Sequence, residues 1–203
     1  MSDAPALILA SGSRFRRHML ANAGVTFSVV TTPVDEPAAR AEMRRETPSL
    51  NPGNVAMRLA ELKALEVSRH HPRALVIGAD QVLAHDGAII GKPDHELAAR
   101  AQLLLLRGQV HTLQTAVVLA RDSVVVWRHL GVAELEMRAF SVAFLDAYLR
   151  DAGSIVTETV GGYALEGLGA QLFTRIDGDY FTVIGLPLIA LLGELRRRGV
   201  LAD

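Results

Sequence analysis

The run Ala74-Leu-Val-Ile-Gly-Ala-Asp80-Gln81-Val-Leu-Ala84, followed by His85-Asp86-Gly87-Ala88-Ile-Ile90, decides how this chain is read. Ala74–Asp80 is a short, unbroken apolar stretch of the kind covered on both faces, and Gln81–Ala84 continues it. Asp86-Gly87 is a hairpin turn signal that sends the chain back through Ala88–Ile90. A buried strand running into a hairpin points to an α/β protein with a mixed sheet. The same strand carries Asp80, and α/β proteins place ligand chemistry at the carboxyl ends of strands. An unpaired aspartate there would be costly to bury, so a metal or another cation is expected beside it.

Toward the N-terminus, Ala6–Ala10 reads as a second buried strand, followed by Ser11-Gly12-Ser13 and a helix from Arg14 to Ala23 closed by Gly24. Phe27–Thr32 reads as a strand stopped by Pro33, and Pro33–Pro37 as a rigid loop presenting Asp35 and Glu36. A helix is expected from Asn54 to about His71, with Asn51 or Asn54 as its cap and Pro72 just beyond. Toward the C-terminus, the tight turn Gly91-Lys92-Pro93 precedes a helix from about Asp94 to Arg107. His111–Ala120 and Val124–Met137 then pair around Arg121-Asp122. Ser141 caps a helix to Arg150, Gly153–Asp179 reads as loop and strand, and Leu186–Arg198 is a helix that begins near Pro187 and ends at Gly199.

The 203 residues suit one domain, 1–203, or two small lobes around a common cleft. The absence of cysteine excludes a disulfide framework and thiolate chemistry. A formal charge of −1 argues against gripping a nucleic-acid backbone, while leaving room for one small anion. Met1–Pro5 carries an acidic residue and no basic run, unlike a signal peptide, and no apolar run is long enough to span a bilayer. A soluble, cytoplasmic protein with no membrane or nucleic-acid partner is the expectation. The seven histidines show no ligand spacing, so zinc is not expected. Trp127 reads as packing in its strand.

Several constellations carry chemistry. The segment Leu9–Arg17 is a strand, a small-residue loop and a helix start, where free N–H groups and the helix dipole favour an anion. Ser11 and Ser13 add hydroxyls, and Arg16 or Arg17 can fork onto phosphate oxygens, although Ser13 could equally serve only as a cap. Asp35 and Glu36 are oxygen ligands suited to Mg²⁺ or Mn²⁺, or else an ordinary polar turn. Lys63 interrupts the apolar stripe Ala56, Leu59, Ala60, Ala64 and Val67, so it needs either a snorkelling path or an anionic partner. Lys92 is a lysine held by a turn, without the pattern of a Walker A loop. This inventory suits a triphosphate with a divalent metal.

The chain resembles the Maf family. The blocks Leu7–Leu20 (LILASGSRFRRHML), Val34–Pro37 (VDEP), Leu59–Ala64 (LAELKA), Ile77–Leu83 with Gly91–Pro93 (IGADQVL…GKP), and Ala164–Tyr180 with Val183–Leu188 occur in family order. The resemblance implies an ITPase-like α/β fold, with a mixed twisted sheet, flanking helices and a central cleft between two lobes. It also implies a homodimer that hydrolyses a nucleoside triphosphate to the monophosphate and diphosphate with a divalent metal. By position, Asp80 is then the proton acceptor, Glu36, Lys63 and Lys92 line the catalytic site, and Glu36 and Asp80 are the metal ligands. Ser11 and Arg16 fall on phosphate-binding positions, and Arg17 on one that is basic in many relatives. The family's proline after the second serine is Arg14 here.

Three family positions that sort substrates hold Phe15, Gln81 and Glu166. The pyrimidine-preferring type carries arginine, threonine and glutamine there, and the 7-methyl-GTP type tryptophan, glutamine and glutamate. The resemblance therefore favours 7-methyl-GTP, with a dTTP- or UTP-preferring enzyme as the alternative. A cationic 7-methylguanine would stack on an aromatic face, and a carboxylate would accept its N–H groups. A non-catalytic nucleotide-sensing regulator of cell division is the competing reading from another class.

Overall fold

Leu75–His85 (β3) continues straight through Asp80 as a single strand of eleven residues. The computed structural model describes residues 6–31, 33–46 and 51–202, so the readings at Met1–Pro5 and Thr32 lie outside the described residues. Seven strands form one mixed sheet. They are β1 (Leu7–Leu9), β2 (Ser28–Val29), β3, β4 (Ala88–Ile90), β5 (Val110–Arg121), β6 (Val124–Met137) and β7 (Phe173–Asp177), in the order β2-β1-β3-β5-β6-β7 with β4 also paired to β3. Of the described residues in the expected strand Phe27–Thr32, only Ser28–Val29 is ladder-paired.

The helices are α1 (Arg14–Asn22), α2 (Glu36–Glu46), α3 (Pro52–His70), α4 (Glu96–Leu106), α5 (Val142–Ala152), α6 (Ile155–Glu158), α7 (Tyr180–Ile184) and α8 (Leu188–Arg197). Asn51 caps α3 by accepting from the N–H of Asn54, with Pro52 as its first residue, and Ser141 caps α5 in the same way. Two expectations are corrected. Asp35-Glu36 is not a loop between prolines: Asp35 Oδ1 accepts the N–H of Ala38 at 2.9 Å, which opens α2 with Glu36 in its first turn. Pro37 fits there because a first-turn residue needs no N–H donor. The stretch Gly153–Asp179 also holds α6 and two 3-10 turns, Val160–Gly162 and Leu168–Leu172, besides β7.

The chain divides into two compact units. The first comprises Met1–Asp80, Thr115–Gly131 and Gly185–Asp203, and the second Gln81–Gln114 and Val132–Ile184. In the first, β1 runs parallel to both β2 and β3, with Ile8 opposite Ser28 and Val76. Leu9, Val76 and Ile77 are fully buried, as parallel strands covered on both faces require. α3 lies against β3 at main-chain contact: a Cβ built on Gly78 would fall 2.2 Å from the Ala60 carbonyl oxygen and 2.8 Å from Ala64 Cβ. Asp122 and Ser123 both have positive φ, 50° and 62°, giving the two-residue β5–β6 hairpin a twist-matched turn one residue later than Arg121-Asp122. That turn is tied to α3, since Ser123 N–H donates to Ser68 Oγ at 3.0 Å.

The second unit is built around a core that includes Leu83, Leu103, Leu113, Leu135 and Phe140. β4 returns from β3 through Asp86-Gly87, both at positive φ, and β7 pairs antiparallel with β6. Buried in this unit, His111 Nε2 meets the Tyr163 hydroxyl at 2.6 Å. Among the described residues no helix is long and apolar enough to cross a membrane.

Candidate active site

The contact of α3 with β3 through Gly78 sets the site, because it brings the lysine one turn past Ala60 up to the aspartate two residues past the glycine. Lys63 Nζ donates to Asp80 Oδ1 at 2.6 Å and lies 2.8 Å from Glu36 Oε1. The interruption of the apolar stripe is thus resolved by two anionic partners, not by a path to solvent, and the lysine side chain is 18% exposed. Asp80 is buried, and its Oδ2 has no hydrogen-bond partner among the described residues. Burial pushes the Asp80 carboxyl above its ordinary range, with Lys63 and then Arg16 pulling it back.

Arg16 belongs to the same cluster. Its Nε donates to the Gly185 carbonyl at 2.7 Å, and its Nη1 donates to the Ala79 carbonyl at 2.9 Å and to Ser11 Oγ at 3.1 Å. Burial lowers its pKa, and the charges of Asp80 and Glu36 raise it. Most of the guanidinium is therefore spent on tying the middle of β3 to the Ser11 loop and to the turn between α7 and α8, which leaves Nη2 as the edge with no hydrogen bond among the described residues. Ser11 is buried and its Oγ also accepts from the Ser13 N–H. Ser13 caps α1 by accepting from the Arg16 N–H. Arg17 is exposed on α1. Phe15 is half-buried, with the Arg14 guanidinium 5.0 Å over its ring.

The remaining expected residues lie in the second unit. Gln81 Nε2 donates to the carbonyls of Thr182 and Val183 in α7. Lys92 is exposed between β4 and α4, where Gln102 Nε2 donates to the Gly91 carbonyl at 2.8 Å. Glu166 is exposed in the turn 165–167. Arg40 is a further neighbour of the cluster that the sequence alone does not mark. One helical turn past Glu36, it has Nη2 3.8 Å from Glu36 Oε2 and a buried Nε without a hydrogen-bond partner among the described residues. Its signal is the four-residue spacing, which is meaningful only once Glu36 is known to be helical.

Among the described residues, no group of three His, Cys, Asp or Glu side chains is arranged to hold a metal. Glu36 and Asp80 nevertheless supply the all-oxygen donors of a hard cation: Glu36 Oε1 and Asp80 Oδ1 converge on one point, where a cation, the Lys63 ammonium, already sits. Two carboxylates with phosphate oxygens completing the shell is the usual way Mg²⁺ is held.

Fold and site together place the chain among mixed α/β proteins that gather acidic and basic side chains beside a parallel strand and a helix N-terminus. Its sequence narrows this further. The chain belongs to the Maf family: the family model described as Maf-like protein matches residues 6–198. It is 53% identical over 194 residues to a nucleoside triphosphate pyrophosphatase of Paramagnetospirillum magneticum, covering 96% of this chain and 99% of the relative. It is 47% identical over 191 residues to a 7-methyl-GTP pyrophosphatase of Brucella abortus, covering 94% and 95%. A nucleoside triphosphate pyrophosphatase of Rhodospirillum rubrum is 47% identical over 197 residues, covering 97% and 96%.

Proposed function

We propose that this protein is a nucleoside triphosphate pyrophosphatase, hydrolysing a nucleoside triphosphate to the monophosphate and diphosphate. The observation that carries this reading is Lys63 held between Glu36 and Asp80, with Arg16 and Ser11 alongside at the start of α1. The names of relatives aligned over nearly the whole chain support it.

In this reaction the oxygen of a water bonds to the α-phosphorus while the bond from that phosphorus to the α–β bridging oxygen breaks, and diphosphate departs. Asp80 takes the water's proton on Oδ2, the oxygen with no other partner among the described residues. Burial raises its basicity, as a general base requires. Lys63 and the Nη2 edge of Arg16 neutralise the negative charge that grows on the leaving oxygen. Ser11, Ser13, Arg17 and the N–H groups opening α1 are assigned to phosphate. Lys92 is assigned to charge neutralisation by the family resemblance. Glu36 and Asp80 would hold Mg²⁺ or Mn²⁺, which when bound supplies Lewis-acid polarisation of the phosphoryl oxygens.

Within this class we assign 7-methyl-GTP as the preferred substrate, through Phe15, Gln81 and Glu166, and a homodimeric, cytoplasmic enzyme as its setting. Residues 1–203 are taken as one functional domain. Turnover of 7-methyl-GTP, GTP, dTTP and UTP at one subsaturating concentration tests the choice. 7-Methyl-GTP should lead, and Glu166→Gln should erode its lead. Faster turnover of dTTP or UTP would favour the pyrimidine alternative, and tight binding with no turnover would favour the nucleotide-sensing regulator.

A further inference from the structure

We propose that Lys63 acts as a built-in stand-in for the divalent cation. In the nucleotide-free protein its ammonium occupies the carboxylate oxygens that a metal needs, so the protein binds metal tightly only once a polyphosphate has drawn the lysine away. The proposal rests on the reading of Glu36 and Asp80 as cation ligands.

The geometry is direct. One ammonium lies 2.6 Å from Asp80 Oδ1 and 2.8 Å from Glu36 Oε1, so the same two oxygens cannot serve a dication while Lys63 holds them. Charge argues the same way. Arg16 acts on both carboxylates, and Arg40 sits 3.8 Å from the second oxygen of Glu36. With Lys63 and Arg16 in place the two carboxylates are already balanced, and a dication would enter against two fixed positive charges. No third acidic or imidazole ligand joins them among the described residues, so the protein alone offers a hard cation an incomplete shell. A triphosphate changes both terms, because it brings oxygen ligands for the metal and an alternative anion for the ammonium.

The backbone cannot make this exchange. Gly78 keeps α3 at main-chain contact with β3, whereas a lysine side chain has four rotatable bonds of its own by which the ammonium can be re-aimed. The buried, unpartnered Oδ2 of Asp80 is the oxygen that the ammonium does not satisfy, and it marks the site as built for a second electrophile as well.

The test is Mn²⁺ affinity of the full chain without nucleotide, read from the EPR signal of free Mn²⁺. Wild type should bind weakly. Lys63→Met should bind at least about tenfold more tightly, since one opposing charge at contact distance has been removed. Lys63→Arg should stay near wild type, and Lys63→Met combined with Asp80→Asn should lose the gain. Folded Lys63→Met that binds Mn²⁺ no better than wild type overturns the proposal.

Wild type supplies a second reading that needs no variant. In lysine-selective NMR spectra, the Lys63 ammonium signal should hold its position in Mg²⁺ alone and move when an uncleavable α,β-methylene nucleotide is added. Displacement by Mg²⁺ alone overturns the proposal equally. Turnover of nucleotides by wild type is scored separately. Its absence would remove the proposed activity, while the Mn²⁺ comparison would still decide the role of Lys63.

Discussion

Asp80 combines two properties on one carboxylate: one oxygen is locked to an ammonium, and the other is buried with no hydrogen-bond partner among the described residues. The locked oxygen fixes the side chain's direction, and the unbonded one is where a proton can go. Asp80→Asn keeps the size and removes the basic oxygen, so kcat should fall about 10²- to 10⁴-fold. Steady-state diphosphate release, with circular dichroism to confirm folding, checks this, and full activity in the variant would refute the role given to Asp80. At this scale the sequence was informative wherever a residue broke its local pattern. Lys63 stood out because it interrupts an apolar stripe, and Asp80 because it follows one. The ties of Arg16 were hidden, since its carbonyl partners at Ala79 and Gly185 carry no side-chain signal and one lies 169 residues away. The two prolines flanking Glu36 read as breakers and so suggest a loop, although a proline is tolerated in a helix's first turn.

Among the elements, the α3–β3 pair governs the site, and its spacing is set by one missing methyl group. Gly78→Ala would push a carbon to within 2.2 Å of the Ala60 carbonyl oxygen, so the helix must lift. The expected loss of stability is about 1–3 kcal/mol, typical of overpacking against backbone, with a larger proportional loss of turnover because Lys63 is carried away from Asp80. Urea unfolding beside kinetics measures both, and an unchanged kcat in a destabilised variant would separate the helix spacing from the chemistry. Long elements such as α3, β5 and β6 were readable from periodicity and turn residues. The short pieces between Gly153 and Asp179 were not. A four-residue helix and 3-10 turns fall below any periodic window, and the glycines there mask them as loop.

For the molecule as a whole, the buried His111 sets an acid limit on stability. Burial, with a smaller push from His85, lowers its pKa to about 4, so the folded state keeps the ring neutral while the unfolded chain takes up a proton near its ordinary pKa of 6.5. The unfolded state binds more protons between those values. Stability therefore declines as pH falls from about 6.5 toward 4, by roughly 3 kcal/mol from this residue alone. His111→Gln, an amide that can still meet the Tyr163 hydroxyl, should flatten the melting-temperature profile across that window. A profile as steep as wild type would clear His111 of the effect. Folding itself is also constrained by the glycine beneath α3. Sliding β3 one residue would present Ile77 or Ala79 to the Ala60 carbonyl, and sliding it two would present Val76 or Asp80, none of which has room there. The position thus acts as a keyway during assembly: a misaligned strand cannot seat against its helix, so acid and base meet only in molecules that have threaded correctly.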